Sequence, residues 1–542
     1  MRRVQSHRTA KVARYNSDDL IASCCRFHIV YDQAFNFTMT EEAKRKAERL
    51  ANAGQRRRVV DTWQLHVLLV SCVFAAAVYS SRLASGHDWG DDFGAYLHLA
   101  QNIRLGRPYD YLTPEMGAMT PPGFPLLLVF WSHLTSWDLA KLKTVNVFSW
   151  CLLAIATYRL ARYYVSASNS LAVAIAVLCC PFFIFAQQDL ISDMPYAALN
   201  TTCLCLASAA SVRQPHWRQI GWLCLLCIGV FTAFLFRPAT VGLVAALVGY
   251  QSYLLVHTYV RTRSYNWLAL TAATLLVLTT LLFIALFPGP FNAHGTNAVA
   301  SGQFYSFTTR SSEEFKNFSN LFFGFVAPPW APKVFLIFAF VGSLLGAINR
   351  RELTPIHFFA LAYPAMIMLT PWNGGPRYLF PMVPVIFIFV AMLGESSRRT
   401  ASAWIGKVGA LIILLYVAVN GARQVNAAQG YSTDEIEKPK AMELFGWLKA
   451  NTRADETLCA FKPRAFLYLT QRRTQDIGFT AYPSTGEEYL RALHCAYAVV
   501  PNPNALGGLY DAVSVKLEVD PTMLKIYDNT EYSVFIPARA KR

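Results

Sequence analysis

The chain has 542 residues, of which 54% are hydrophobic and only 15% charged, with net charge +16 and mean hydropathy +0.29. An average soluble protein carries about 25% charged residues, so this composition excludes a disordered chain, a coiled coil, a disulfide-stapled miniprotein and a simple cytosolic enzyme. Charge is also unevenly spread: residues 1–62 hold 13 Lys/Arg and 7 Asp/Glu, residues 422–542 hold 15 and 14, and residues 63–421 only 21 and 12.

The expected plan follows from that split. Residues 1–62 read as a basic cytoplasmic N-terminal tail. No apolar core of a signal peptide lies in the first 38 residues, and Met39 opens a cytoplasmic helix pattern that is a possible true start. Residues 63–421 read as a polytopic transmembrane domain. A membrane helix needs about 20 apolar residues. Such runs lie near 63–84, 142–160, 168–186, 194–212, 219–236, 239–257, 266–288, 333–349, 355–371, 378–394 and 403–421. That makes about 11 transmembrane helices. A further stretch, 121–137, starts Pro-Pro-Gly-Phe-Pro and contains His133.

The positive-inside rule sets the sides. If 121–137 does not cross, the pairs Arg159/Arg162, Arg213/Arg218, Arg261/Arg263, Arg350/Arg351 and Arg398/Arg399 all face the cytoplasm. Loops 85–141 and 289–332 and residues 422–542 then lie outside. Of the 12 acids in the middle region, only Glu352 and Glu395 fall inside. Asp88, Asp91, Asp92, Asp110, Glu115, Asp138, Asp189, Asp193, Glu313 and Glu314 fall outside, which points to a working surface there. The basic tail and turns meet anionic lipid. No phosphate loop or aromatic-basic platform supports nucleic-acid binding.

Candidate site residues follow in chain order. The first outer loop reads His87-Asp88-Trp89-Gly90-Asp91-Asp92-Phe93-Gly94-Ala95-Tyr96. Adjacent carboxylates raise one another's pKa, which suits a general base. The same acids also suit an N-cap for a helix through about Asn102. His87, His98 and the aspartates are a possible metal set. Thr120-Pro121-Pro122-Gly123 makes a rigid turn at the membrane surface. Asp193 opens a span, either as a functional acid or as an interfacial cap. Arg237-Pro238 and Trp372-Asn373-Gly374-Gly375-Pro376-Arg377-Tyr378 are tight outer turns. Each Arg can snorkel to headgroups or bind a phosphate as a fixed cation. Loop 289–332, with His294, Tyr305, Arg310, Glu313, Glu314, Lys316 and Trp330, is too long for a connector and suits a lid or a substrate-binding role. Asn317-Phe318-Ser319 is a sequon, and Gly342 with Gly346 forms a helix-packing motif.

Most cysteines lie in apolar runs, where packing explains them, the CxxC pair Cys224 and Cys227 included. Cys459 and Cys495 lie in the C-terminal part, each in or beside a predicted strand, and a bridge between them is one possibility outside the cytoplasm. That part reads as an extracytoplasmic α/β domain: helices near 439–450, 463–469 and 485–494, strands near 456–461, 495–500, 523–527 and 532–536.

In their order, Asp91-Asp92-Phe93-Gly94-Ala95-Tyr96-Leu97, Ala100-Gln101-Asn102, Gly106-Arg107-Pro108-Tyr109, Pro121-Pro122-Gly123-Phe124-Pro125, Ser192-Asp193, Arg237-Pro238 and Arg377-Tyr378-Leu379-Phe380-Pro381 resemble the polytopic glycosyltransferases of the GT-C fold. These include the protein O-mannosyltransferase and lipid A aminoarabinose transferase families and bacterial relatives. Phe461-Lys462-Pro463-Arg464 and Gln471-Arg472-Arg473 are similar to those relatives too. The resemblance implies GT-C architecture and a polyprenyl-phosphate sugar as donor. The acceptor would be a glycan, lipid or protein at the outer face of the plasma (inner) membrane, with inversion at the sugar. It assigns Asp92 as base with Asp91 beside it and Tyr96 as marker. Asp193 becomes the second acid, and Arg237, Arg377 and Tyr378 lie near the lipid phosphate. No cofactor is implied, and a divalent metal is not required. Thr120 stands where the aminoarabinose transferases carry Lys. The competing readings are a multi-span secondary transporter of a lipid-linked or small polar substrate, and a non-catalytic lipid-binding scaffold.

Overall fold

The computed structural model describes residues 62–109, 120–212, 215–289, 307–324, 328–369, 375–396, 403–427, 435–478, 484–505 and 510–538. The expected tail with Met39, together with Asp110, Glu115, His294, Tyr305, Trp372 and Arg398/Arg399, lies outside the described residues.

Every apolar run of the sequence falls on helix. Among the described residues, six helices are long and apolar enough to cross a membrane: Thr62–Ser80, Leu139–Ala161, His216–Phe236, Thr240–Thr262, Trp267–Leu286 and Trp330–Arg350. The run 168–186 is a broken element instead, Ala167–Leu178 followed by Pro181–Gln188 with a 46° bend. Pro181 cannot continue the helix before it, because it lacks the N–H and crowds the preceding turn. Gly123–Thr135 has 13 residues, about 20 Å of helix against a hydrocarbon core of about 30 Å. Pro355–Leu369 and Met382–Ser396 are short as well, at 15 residues each. Large apolar side chains stand exposed along the long helices, Val73, Ile228, Leu281 and Phe340 among them. On a soluble protein such bands aggregate; here they are the lipid-facing surface of a multi-pass membrane protein.

Small residues bring the helices close. A Cβ on Gly342 would collide with the Phe389 carbonyl, so the Trp330–Arg350 and Met382–Ser396 helices touch backbone to backbone. That is the packing expected of the Gly342/Gly346 pair. The Leu139–Ala161, Asp193–Ser211 and His216–Phe236 helices pack in sequence.

The C-terminal residues form a five-stranded sheet in the order β2-β1-β3-β5-β4. Its strands are β1 Thr457–Ala460, β2 Arg473–Asp476, β3 Tyr497–Pro501, β4 Met523–Asp528 and β5 Tyr532–Pro537. β1 is parallel to β2 and β3, while β5 is antiparallel to β3 and β4. Helices Pro439–Asn451, Pro463–Thr470, Gly486–Ala492 and Asp511–Val519 accompany it. β2 and the Asp511–Val519 helix are additions to the expected set. Cys459 on β1 is bridged to Cys495 just before β3, with Cα atoms 5.6 Å apart. Cys224 and Cys227 are unbridged.

The sheet does not stand apart from the membrane helices. Trp89, 4% exposed, enters a box of Phe445, Phe461, Phe466 and Tyr532, with ring centroids 4.9 to 5.8 Å away. The Pro463–Thr470 helix lies along the Asp91–Arg104 helix. There is no room for a side chain between them: a Cβ on Gly94 would sit 2.6 Å from the Arg464 carbonyl carbon and 2.7 Å from Ala465 Cα.

Candidate active site

The Asp91–Arg104 helix begins after Gly90, and no side chain caps it. The cap expected of Asp91 or Asp92 is therefore not formed. Both acids lie inside the first helical turn, where the helix dipole favours negative charge. From there they face other segments.

Asp91 holds the C-terminal region. Its Oδ1 accepts the backbone N–H of Arg464 at 2.8 Å and of Ala465 at 3.3 Å. These are two of the orphan donors at the start of the Pro463–Thr470 helix, satisfied across the contact. Arg464 Nε lies 3.5 Å from Asp91 Oδ2. Asp92 is held between two guanidiniums. Arg377 Nη1 donates to its Oδ2 at 2.7 Å, and Arg464 Nη1 to its Oδ1 at 3.0 Å. The three side chains are 28%, 33% and 28% exposed for Asp92, Arg377 and Arg464, so this group is half-buried.

A second group lies deeper. Asp193 starts the Asp193–Ser211 helix, and Arg237 ends the His216–Phe236 helix at the tight Arg-Pro turn. Arg237 Nη2 donates to Asp193 Oδ2 at 2.8 Å, with side chains 11% and 1% exposed. Its Nε donates to the Ser192 hydroxyl at 3.1 Å, which also meets Tyr96 OH at 2.9 Å. Asp193 is thus an ion-pair partner, and Ser192 rather than Asp193 occupies the cap position. Tyr378 joins the two groups. Its ring lies 4.8 Å from the Arg237 guanidinium and 5.9 Å from that of Arg377, both cation–π distances. Its carbonyl accepts from Tyr363 OH at 3.1 Å. All seven expected site residues, Asp91, Asp92, Tyr96, Asp193, Arg237, Arg377 and Tyr378, therefore fall in one connected constellation.

The electrostatics separate the acids. Burial alone would raise the Asp92 carboxyl, but Arg377 and then Arg464 outweigh it and hold it at about 2. Burial raises Asp91 above its ordinary value, against the pull of Arg464. Burial, and next Asp88, push Asp189 up to about 6. A carboxylate with both oxygens on guanidiniums is a poor proton acceptor as it stands.

His87, Asp88 and Asp189 bring possible ligand atoms within 4.8 Å of one another. The imidazole fits a metal badly. Its Nε2 accepts the Leu190 N–H at 3.1 Å, so Nδ1 carries the ring proton, 2.8 Å from Asp88 Oδ1. A metal at Nδ1 would leave a protonated Nε2 facing that N–H. The ring serves as a strut instead, stacked on Phe93 at 4.0 Å, while the His87 carbonyl accepts from Ile436 N–H. His98 is bonded to Asn102 within its own helix. Thr120 is buried, and its carbonyl accepts from Tyr109.

Sequence reasoning missed Arg464 and Ser192 as members of the site. Arg464 had a signal, the Lys-Pro-Arg run that opens a short helix, but nothing local placed it against residue 92. Ser192 had none beyond adjacency to Asp193. A cavity of about 340 Å³ lies between the Phe307–Phe323, Trp330–Arg350 and Ala403–Ala427 helices. Apart from Tyr416 and Asn420 its walls are almost wholly apolar, Phe335 and Phe338 among them. The Phe307–Phe323 helix also packs against the Arg377 turn.

No protein-family model and no curated protein matches the chain. Solved structures do. ArnT from Cupriavidus metallidurans bound to undecaprenyl phosphate matches with TM-score 0.54 and 13% identity, over 86% of this chain and 97% of that one. The Archaeoglobus fulgidus oligosaccharyltransferase in its apo form matches with TM-score 0.58 and 12% identity, over 88% and 74%. The archaeal oligosaccharyltransferase AglB from Archaeoglobus fulgidus, in complex with an inhibitory peptide and a dolichol-phosphate, matches with TM-score 0.54 and 11% identity, over 81% and 69%. At these identities the likeness is one of fold, and the fold is the GT-C architecture that the order of motifs implied.

Proposed function

We propose that this protein is a membrane glycosyltransferase, a hexosyl- or pentosyltransferase. It moves a sugar from a polyprenyl-phosphate donor to a glycan, lipid or protein acceptor at the outer face of the plasma (inner) membrane, with inversion. One observation carries the reading. Carboxylates and guanidiniums from widely separated segments converge at helix ends, around Asp92, Asp193, Arg237 and Arg377. The chemistry needs such a set. The acceptor oxygen attacks the anomeric carbon, the bond from that carbon to the phosphate oxygen breaks, and the phosphate keeps the electron pair. Arg377 and Arg237 stabilise that growing charge, and do so best in a site shielded from water. The acceptor hydroxyl gives its proton to Asp92. A donor with a single phosphate needs no divalent ion in principle.

The topology supports the outer face. The sequence reading of about 11 spans with the N-terminus inside would put all the basic pairs in the cytoplasm. The Cys459–Cys495 bridge suits an oxidising compartment. The apolar cavity lined by Phe335, Phe338 and Tyr416, about 340 Å³, has room for part of an isoprenoid tail. A transporter would carry its ionisable groups near mid-membrane, whereas these sit at helix termini, which speaks against that reading.

The test uses the full chain in proteoliposomes with labelled polyprenyl-phosphate sugar and a membrane extract as acceptor. Label should move to an extract component. Asp92→Asn should lower the rate by about 10²-fold or more, the range of a lost general base. Absence of transfer across donor sugars refutes the function, and wild-type turnover by folded Asp92→Asn refutes the base.

A further inference from the structure

The way Asp92 is held poses a problem for a base, and Arg464 is the key to it. Both carboxylate oxygens are occupied, by Arg377 on one and Arg464 on the other. The two arginines come from different parts of the chain, one from the turn between membrane helices and one from the C-terminal region. That region is docked by more than the guanidinium of Arg464, whose Nε lies 3.5 Å from Asp91 Oδ2. Docking is accomplished by the two backbone N–H bonds to Asp91, the Gly94 contact, the aromatic box around Trp89 and the Ile436 N–H to the His87 carbonyl. These contacts fix the Arg464 backbone. Its side chain reaches both acids, Asp91 through Nε and Asp92 through Nη1, about a quarter exposed, beside an Arg377 that is about a third exposed.

Two guanidiniums on one carboxylate lie close together, and Asp92 is the charge they share. A phosphodiester offers the same two features, negative charge and oxygens spaced for guanidinium donors. Resting on the glycosyltransferase reading, we propose that Arg464 is a second phosphate ligand of the lipid-linked donor, exchanging Asp92 for the donor phosphate alongside Arg377 and freeing Asp92 to take the acceptor's proton. Charge moves in the matching direction during transfer. Asp92 loses its negative charge on protonation, and the departing polyprenyl phosphate gains one as the carbon–oxygen bond breaks. The cations follow the charge from carboxylate to phosphate. Asp92 is held low by its pairing with Arg377 and Arg464, and its carboxyl rises as they leave. The C-terminal region is then part of the donor site.

The experiment measures binding of polyprenyl phosphate, and of uncharged polyprenol, to the full chain in nanodiscs. The wild type should prefer the phosphate. Arg464→Gln should weaken phosphate binding about tenfold or more, the worth of a charge-assisted bond, and leave polyprenol binding unchanged. Arg464→Lys should recover part of the loss. In turnover, the acidic limb of kcat/KM should move up in Arg464→Gln, because Asp92 keeps only one cation. A separate measurement uses wild-type protein alone. Labelling of Arg464 by phenylglyoxal, read by mass spectrometry, should be blocked by polyprenyl phosphate and not by polyprenol. Wild-type binding kept by folded Arg464→Gln, or unblocked labelling, overturns the assignment of Arg464. A wild type that does not prefer the phosphate overturns the functional reading itself.

Discussion

Gly94→Ala tests the contact on which the site's assembly depends. The added methyl would lie 2.6 Å from the Arg464 carbonyl carbon and 2.7 Å from Ala465 Cα, where ordinary contact begins at 3.4 Å. All these neighbours are backbone, so no side chain can swing aside. The Pro463–Thr470 helix must move by at least about 0.8 Å, the shortfall at the carbonyl carbon, and the Arg464 carbonyl oxygen lies nearer still. Moved that far, the Arg464 N–H to Asp91 bond stretches from 2.8 Å to about 3.6 Å, no longer a hydrogen bond. Overpacking costs about 1–3 kcal/mol, and a weakened bond to a charged group about 1.5–3 kcal/mol. The sum is on the order of 3 kcal/mol or more, roughly a hundredfold in the opening equilibrium of this contact. Hydrogen exchange read by mass spectrometry reports that opening at the Arg464 and Ala465 amides. Their exchange should quicken by about two orders of magnitude, with little change in the Trp267–Leu286 helix. Unchanged exchange at residues 464 and 465 in the variant would refute the contact.

Two further outcomes are expected. Asp193→Ala strands a buried guanidinium and should cost about 3–5 kcal/mol in thermal unfolding, while Asp193→Ala with Arg237→Leu should recover much of it. A double variant no better than the single would remove the pair from the account. Asp189 is pushed up to about 6 by burial and Asp88, against His87, Lys143 and Arg377. The folded state therefore binds this proton more readily than the unfolded chain, and its stabilising contribution is lost as pH rises through about 6. Asp189→Asn should melt above the wild type at about pH 8 and level with it at about pH 4. An equal gap at both pH values contradicts this.

Much of the arrangement is legible in the sequence because local patterns specify it. Apolar length marks the helices, Pro238 marks a turn, and the site residues stand at helix ends where polar groups are tolerated, whereas the break at Pro181 lies inside a run that apolar length reads as one span. What is not legible is pairing across long separations. Arg464 meets Asp92 across 372 residues, and no spacing rule reaches that far. Asp91 looks like a cap because caps are local, yet its partners are the amides of a distant helix. Two small elements were missed for a different reason. β2 reads Arg-Thr-Gln-Asp, an edge strand without an apolar alternation to mark it. The segment Asp511–Val519 alternates Val513, Val515, Leu517 and Val519 like a strand, but it buries Val513 and Leu517 on one helical face.

The Trp89 box bears on the order of assembly. Residues 89 to 92 are among the earliest described parts of the chain to leave the ribosome, and Tyr532, which closes the box, is among the last. The acids at 91 and 92 therefore pass through insertion of the membrane helices without the partner from residue 464. A nascent chain with its helices already inserted lacks the Arg464 partner of Asp92. If the proposed function holds, the C-terminal sheet acts as a completion check, since a molecule interrupted late in synthesis can occupy the bilayer with that pairing unmade.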